Sequence, residues 1–143
     1  MHSRVTVERF ATLLATSTPL ATFLGIRPER IEHGMAVVRL PFSEAVLRPG
    51  GTHSGPSLMA LADIAMYGVV LSVFGDDSRP LTTQLTMDFL RRPPNQDLLA
   101  EGRLLSIDET LAVGKISVFP EQDESAMICS STCTYALPCR AGG

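Results

Sequence analysis

Residues 56–74, PSLMALADIAMYGVVLSVF, constrain this chain most, because they form an apolar run longer than a strand and carry a single charge, Asp63. Pro56 suits the first turn of a helix, where a missing N–H costs nothing. The pattern predicts one long helix, apolar nearly all round, which must be covered on more than one side. A membrane could cover it, since Ser57 to Phe74 approaches the length of a span. Against that, the run sits mid-chain, lacks flanking Lys or Arg, and holds an acid away from its ends, where lipid makes charge costly. A sheet is the better cover.

The rest of the chain supplies its strands. Ala36, Val38, Leu40 and Phe42 alternate with Val37 and Arg39, and Gly34 predicts a turn from an earlier strand near residues 26–32. After the helix, strands are expected over residues 81–91, 98–107, 111–119 and 126–137. Pro93-Pro94-Asn95, Asp108-Glu109 and Pro120 to Glu124 separate them. In the last, Met127, Cys129, Cys133, Tyr135 and Leu137 share one face, and Ser130, Thr132 and Thr134 share the other. Turns this short forbid parallel crossovers, so the expected class is α+β, an antiparallel sheet wrapped around one long helix. Phe10, Leu13 and Leu14 at helical spacing, then a short helical piece from Pro19 to Gly25, make residues 1–25 a helical lead-in. Residues 1–143 read as one domain with one core.

Composition removes several functions. A net charge of -3 with 19% charged residues gives no general attraction to nucleic acid or to an anionic membrane. Cys129, Cys133 and Cys139 are odd in number and lack the paired spacing and histidine partners of a zinc site, so neither a disulfide framework nor a metal is expected. Reduced thiols, and a start with no apolar leader, lead us to expect a cytoplasmic protein without a cofactor of its own.

Asp63 is the residue most suggestive of chemistry, since a carboxylate on the greasiest helix of a domain is seldom there without a partner or a purpose. It could instead bond a backbone group or an arginine across the core. Ahead of the helix runs Gly50-Gly51-Thr52-His53-Ser54-Gly55-Pro56, a loop whose free N–H groups and helix dipole suit a negative oxygen. Gly55, having no side chain, would let a carbonyl approach its N–H closely. Yet eight residues at ~1.5 Å rise put Asp63 about 12 Å along the axis from Gly55, too far for both to act on one carbonyl carbon. A two-fold dimer with antiparallel helices would bring Asp63 of one subunit opposite Gly55 of the other.

The segments Gly51 to Asp63 and Thr82 to Pro93 (TTQLTMDFLRRP) resemble those of the phenylacetic-acid-pathway, PaaI-type, hotdog acyl-CoA thioesterases, and the likeness runs from about Ile26 to Ala136. The resemblance implies a hotdog fold, a homodimer or dimer of dimers, and hydrolysis of an acyl-CoA thioester. It implies Asp63 as general base or nucleophile, Gly55 as the neighbouring subunit's oxyanion N–H, and Thr82, with Thr83 as the alternative, as a hydroxyl that positions water. The family's loop typically reads H-G-G, whereas this chain has Ser54 at the histidine position, His53 displaced by one, and Arg48 near a position where many members carry asparagine or glutamine. His53 is a candidate acid or an exposed loop histidine. Arg91 and Arg92 are candidates for holding coenzyme A phosphates or are solvated strand-end charges. A hotdog hydratase would carry histidine five residues after its aspartate, and position 68 is Gly. A carrier-type dehydratase resembles H-F-P, which does not follow His53. The remaining alternative to a hydrolase is a non-catalytic acyl-thioester binder.

Overall fold

A computed structural model of the chain describes residues 1–138, and Cys139 lies outside them. Helix α1 (Val7–Ser17) begins at Thr6, whose side chain accepts a hydrogen bond from the Arg9 N–H, and buries Phe10 and Leu14. The short α2 (Pro19–Leu24) ends on Gly25, whose φ of 77° supplies the left-handed cap. Strands β1 (Arg27–Glu32) and β2 (Met35–Leu40) follow. A single 3₁₀ turn, Glu44–Val46, leads through the glycine loop to α3 (Gly55–Phe74). Then come β3 (Leu81–Phe89), β4 (Leu98–Ile107), β5 (Leu111–Pro120) and β6 (Cys129–Ala136).

All six strands join one antiparallel sheet in the order β1-β2-β4-β5-β6-β3. The chain crosses from β2 to the far edge by way of α3, so the helix lies along one face of the sheet and packs on β2, β4 and β5. This answers the cover problem: Leu58, Leu61, Ala65, Met66, Val69 and Val70 are buried all round it. Although α3 is long and apolar enough to cross a membrane, 67% of its apolar window is buried inside the protein. The close seat depends on Gly102 of β4, where a Cβ would stand 2.9 Å from Val69 Cγ2 and 3.3 Å from the Ala65 carbonyl oxygen. α1 continues the same core, with Phe10 edge-on to Tyr67 at 5.9 Å.

Several strand ends fall short of the sequence expectation. Phe42 lies beyond β2 because its N–H is taken by Asp97 Oδ1 at 2.9 Å rather than by a neighbouring strand. The third strand stops at Phe89, ahead of Pro93-Pro94, and the last spans Cys129–Ala136 rather than 126–137. Arg39 pins this end of the sheet, bonding Glu29, Asp97 (2.9 Å) and Glu121 (2.8 Å).

Candidate active site

Asp63 faces the sheet, half-buried, at the one charged position on α3. In β6 the side chains alternate, and Cys133 and Tyr135 point inward while Thr132 and Thr134 do not. The β3–β6 register sets Thr82 opposite Tyr135, so two hydroxyls converge on the acid from one cross-strand pair. Thr82 Oγ1 donates to Asp63 Oδ1 at 2.7 Å. The Tyr135 hydroxyl stands 2.8 Å from the same oxygen and 2.9 Å from the Asp63 backbone carbonyl. Asp63 Oδ2 accepts no hydrogen bond among the described residues.

The irregularity between Thr82 and Gln84 decides which threonine serves: Thr83 is turned out to donate to the Thr134 carbonyl at 3.1 Å. Burial, then the Asp63 charge, raises the Tyr135 hydroxyl well above its ordinary 10.0, so it stays a proton donor. The same two causes push the Cys133 thiol up to about 12, so it is a poor nucleophile at neutral pH. Sequence reasoning placed Tyr135 on one face of the last strand with Cys129 and Cys133 but gave it no role. The available signal was that a buried tyrosine hydroxyl needs a partner, and the one acid of the facing helix is the evident acceptor. Asp63, Ile64, Tyr67, Pro80, Leu81, Thr82 and Tyr135 line a cavity of about 230 Å³.

The glycine loop builds a second, separate cavity of about 400 Å³, lined by Arg48, Thr52, His53, Gly55, Leu58, Phe89, Arg91, Arg92 and Pro93. Ser54 caps α3: its hydroxyl accepts from the Ser57 N–H at 3.3 Å and lies 3.1 Å from the Ser57 hydroxyl, so it is committed to the helix start. Gly55 follows as the first residue of the helix. Its backbone does not require glycine, and a methyl group there would meet only Phe89 Cζ, at 3.8 Å.

His53 is no exposed loop residue. It is 2% exposed, edge-on to Phe42 at 5.3 Å, and neither ring nitrogen has a hydrogen-bond partner among the described residues. Burial lowers its pKa from 6.5 against the weaker opposing pull of the Asp97 charge and so favours the neutral ring. Arg48, Arg91 and Arg92 are exposed around the mouth, and Arg92 Nη2 reaches the Gly50 carbonyl at 3.3 Å. One chain thus gathers the sequence-predicted residues into two groups: Asp63 with Thr82, and Gly55 with His53 and the three arginines.

Known proteins share this arrangement of elements. Residues 50–127, more than half the chain, match the family described as the thioesterase superfamily. A Saccharolobus solfataricus protein named provisionally as an esterase is 30% identical over 94 residues, 66% of each chain. This chain therefore spans about two thirds of that relative's length. A solved Silicibacter structure, named provisionally as a thioesterase, is 36% identical, covers 97% of this chain and 96% of its own, and superposes with a TM-score of 0.87. The Escherichia coli PaaI protein from the phenylacetic acid degradation operon shares the fold at a TM-score of 0.81 and 20% identity, covering 94% of this chain and 95% of its own. The likeness read from the glycine loop and its aspartate is thus met by family and by fold, and the chain belongs to the thioesterase superfamily as a hotdog-fold member.

Proposed function

We propose that the protein hydrolyses an acyl-CoA-type thioester to the free acid and the thiol, using Asp63 and the Gly55 N–H on one carbonyl group. The observation that carries this reading is the state of Asp63: its Oδ1 is held by two hydroxyls and its Oδ2 accepts nothing among the described residues, at the edge of a cavity. Such a carboxylate can take a proton from water as the C–O bond forms, or attack the carbonyl carbon itself. The C–S bond then breaks and the thiolate takes up the proton that Asp63 drew from water. Where Asp63 itself attacks, water next hydrolyses the mixed anhydride, giving the free acid and the thiol's proton and restoring the carboxylate. The Gly55 N–H, at the positive end of α3 and open to an apolar cavity, suits the developing oxyanion, and His53 lines that same cavity with both ring nitrogens buried and without a hydrogen-bond partner among the described residues. Arg48, Arg91 and Arg92 around its mouth suit the phosphates of coenzyme A.

The reading requires a homodimer, as a minimum unit, with the site shared across the two-fold axis. α3 is one continuous helix, so Asp63 and Gly55 of one chain stay about 12 Å apart along it. β3 is an edge strand with Leu81 63% and Phe89 53% exposed, a surface that pairing with a second copy would cover. Buried, reduced Cys129 and Cys133 fit a cytoplasmic setting.

The test is thiol release from a panel of aryl and aliphatic acyl-CoAs. Asp63→Asn should keep fold and oligomer and lose ~10²- to 10⁴-fold in kcat. Mixing Asp63→Asn chains with Gly55→Val chains should recover part of the activity, because one site of the mixed dimer is intact. Full activity in Asp63→Asn would overturn the reading, and thermal stabilisation by coenzyme A with no turnover on any thioester would replace it with a binding function.

A further inference from the structure

From the geometry around Asp63 we infer that Tyr135 is a positioning residue, which with Thr82 ties down Oδ1 and thereby makes Oδ2 the reacting oxygen. The inference rests on Asp63 being the reacting acid, and it goes further by assigning a role to a residue outside the glycine loop and α3.

Both donors reach Oδ1, at 2.7 Å from Thr82 and 2.8 Å from Tyr135, and none reaches Oδ2 among the described residues. A carboxylate has two equivalent oxygens only while its surroundings treat them alike. Here one oxygen carries two hydroxyl bonds, and turning the carboxylate out of this plane would give up both, so the oxygen left free keeps a fixed direction.

Tyr135 contributes more rigidly than Thr82. Its ring is 4% exposed, wedged on the inner face of β6, whereas Thr82 sits on the exposed edge strand. The phenol also spans the acid and the backbone carbonyl of the same residue, 2.8 and 2.9 Å away, so it references the side chain to the helix that bears it. Cys133 Sγ, at 4.0 Å from Oδ1, is too distant and too weak a donor to substitute.

The experiment is Tyr135→Phe, which keeps the ring and removes the donor, assayed in the full-length protein on the best thioester of the panel. We expect kcat to fall about 10- to 100-fold, the range of one hydrogen bond to a charged group, with KM within about twofold. Tyr135→Phe added to Asp63→Asn should cost almost nothing further, because there is no reacting oxygen left to aim. Thr82→Val should lose activity, and Thr82→Ser, which restores the hydroxyl, should recover most of it. A purely structural tyrosine would predict a lowered thermal midpoint with kcat per folded protein unchanged, and that result overturns the inference. So does an equal loss in the Asp63→Asn background. If Asp63→Asn itself remains active, the underlying functional reading fails first. An inactive Asp63→Asn beside a fully active Tyr135→Phe removes this inference alone.

Discussion

Replacing His53 with leucine should make the protein more stable and less active. The ring is 2% exposed and neither nitrogen has a hydrogen-bond partner among the described residues, although a neutral imidazole brings one donor and one acceptor. Leaving such a group unsatisfied in a core costs ~1–3 kcal/mol, which an apolar side chain of similar size does not incur. The edge-on contact with Phe42, 5.3 Å between centroids and 62° between planes, offsets part of that gain, since such pairs contribute ~0.5–1.5 kcal/mol. The net expectation is a stabilisation of about 1 kcal/mol, seen as a rise of roughly 3 °C in Tm for a chain of this size. Turnover should fall by ~10-fold or more, because the imidazole in the wall of the Gly55 cavity is lost.

Calorimetry as a function of pH sharpens the test. His53 is held below its usual 6.5 by burial, so protons bind the unfolded chain more readily than the folded one. Its contribution to stability is complete above about pH 6.5 and declines as the pH falls from there toward the folded value, by at most ~1.4 kcal/mol per pH unit. His53→Leu should lack this decline. Asp97 does not blur the window. Burial alone would raise its carboxyl, but the Phe42 N–H and Arg39 hold it below 3.8, and its contribution is lost only as the pH falls through that lower value. A variant several degrees less stable at neutral pH, or one with the same loss near pH 6 as the parent, would refute the reasoning.

Two further outcomes are expected. Gly102→Ala should destabilise by ~1–3 kcal/mol in denaturant titration, because the new methyl meets Val69 Cγ2 at 2.9 Å and the fixed Ala65 carbonyl at 3.3 Å. Arg91→Ala combined with Arg92→Ala should raise KM for acyl-CoA by ~10-fold at low salt with kcat little changed. The parent's KM alone should rise with ionic strength.

Much of the site was legible because helices and strands have short periods. An apolar run with one acid, preceded by a glycine loop, is a local pattern, and it marked Asp63, Gly55 and the helix between them before any coordinates. The separation of Asp63 from Gly55 along a continuous helix was equally readable, since rise per residue is nearly constant. Even the two faces of β6 separated by alternation alone.

What the sequence could not settle is whatever depends on register and on distance across the sheet. Thr82 and Thr83 are neighbours in sequence, and a one-residue irregularity in pairing with β6 sends the first to Asp63 and the second to the Thr134 carbonyl. Tyr135 is 72 residues from Asp63 along the chain, and only the closing of β6 between β5 and β3 brings its hydroxyl to 2.8 Å. His53 read equally as a candidate acid or an exposed loop histidine, and only the packing of Phe42 across it made it a buried ring. Local chemistry is written in adjacent residues, whereas the partners of a carboxylate are chosen by strands that meet only after the chain has folded.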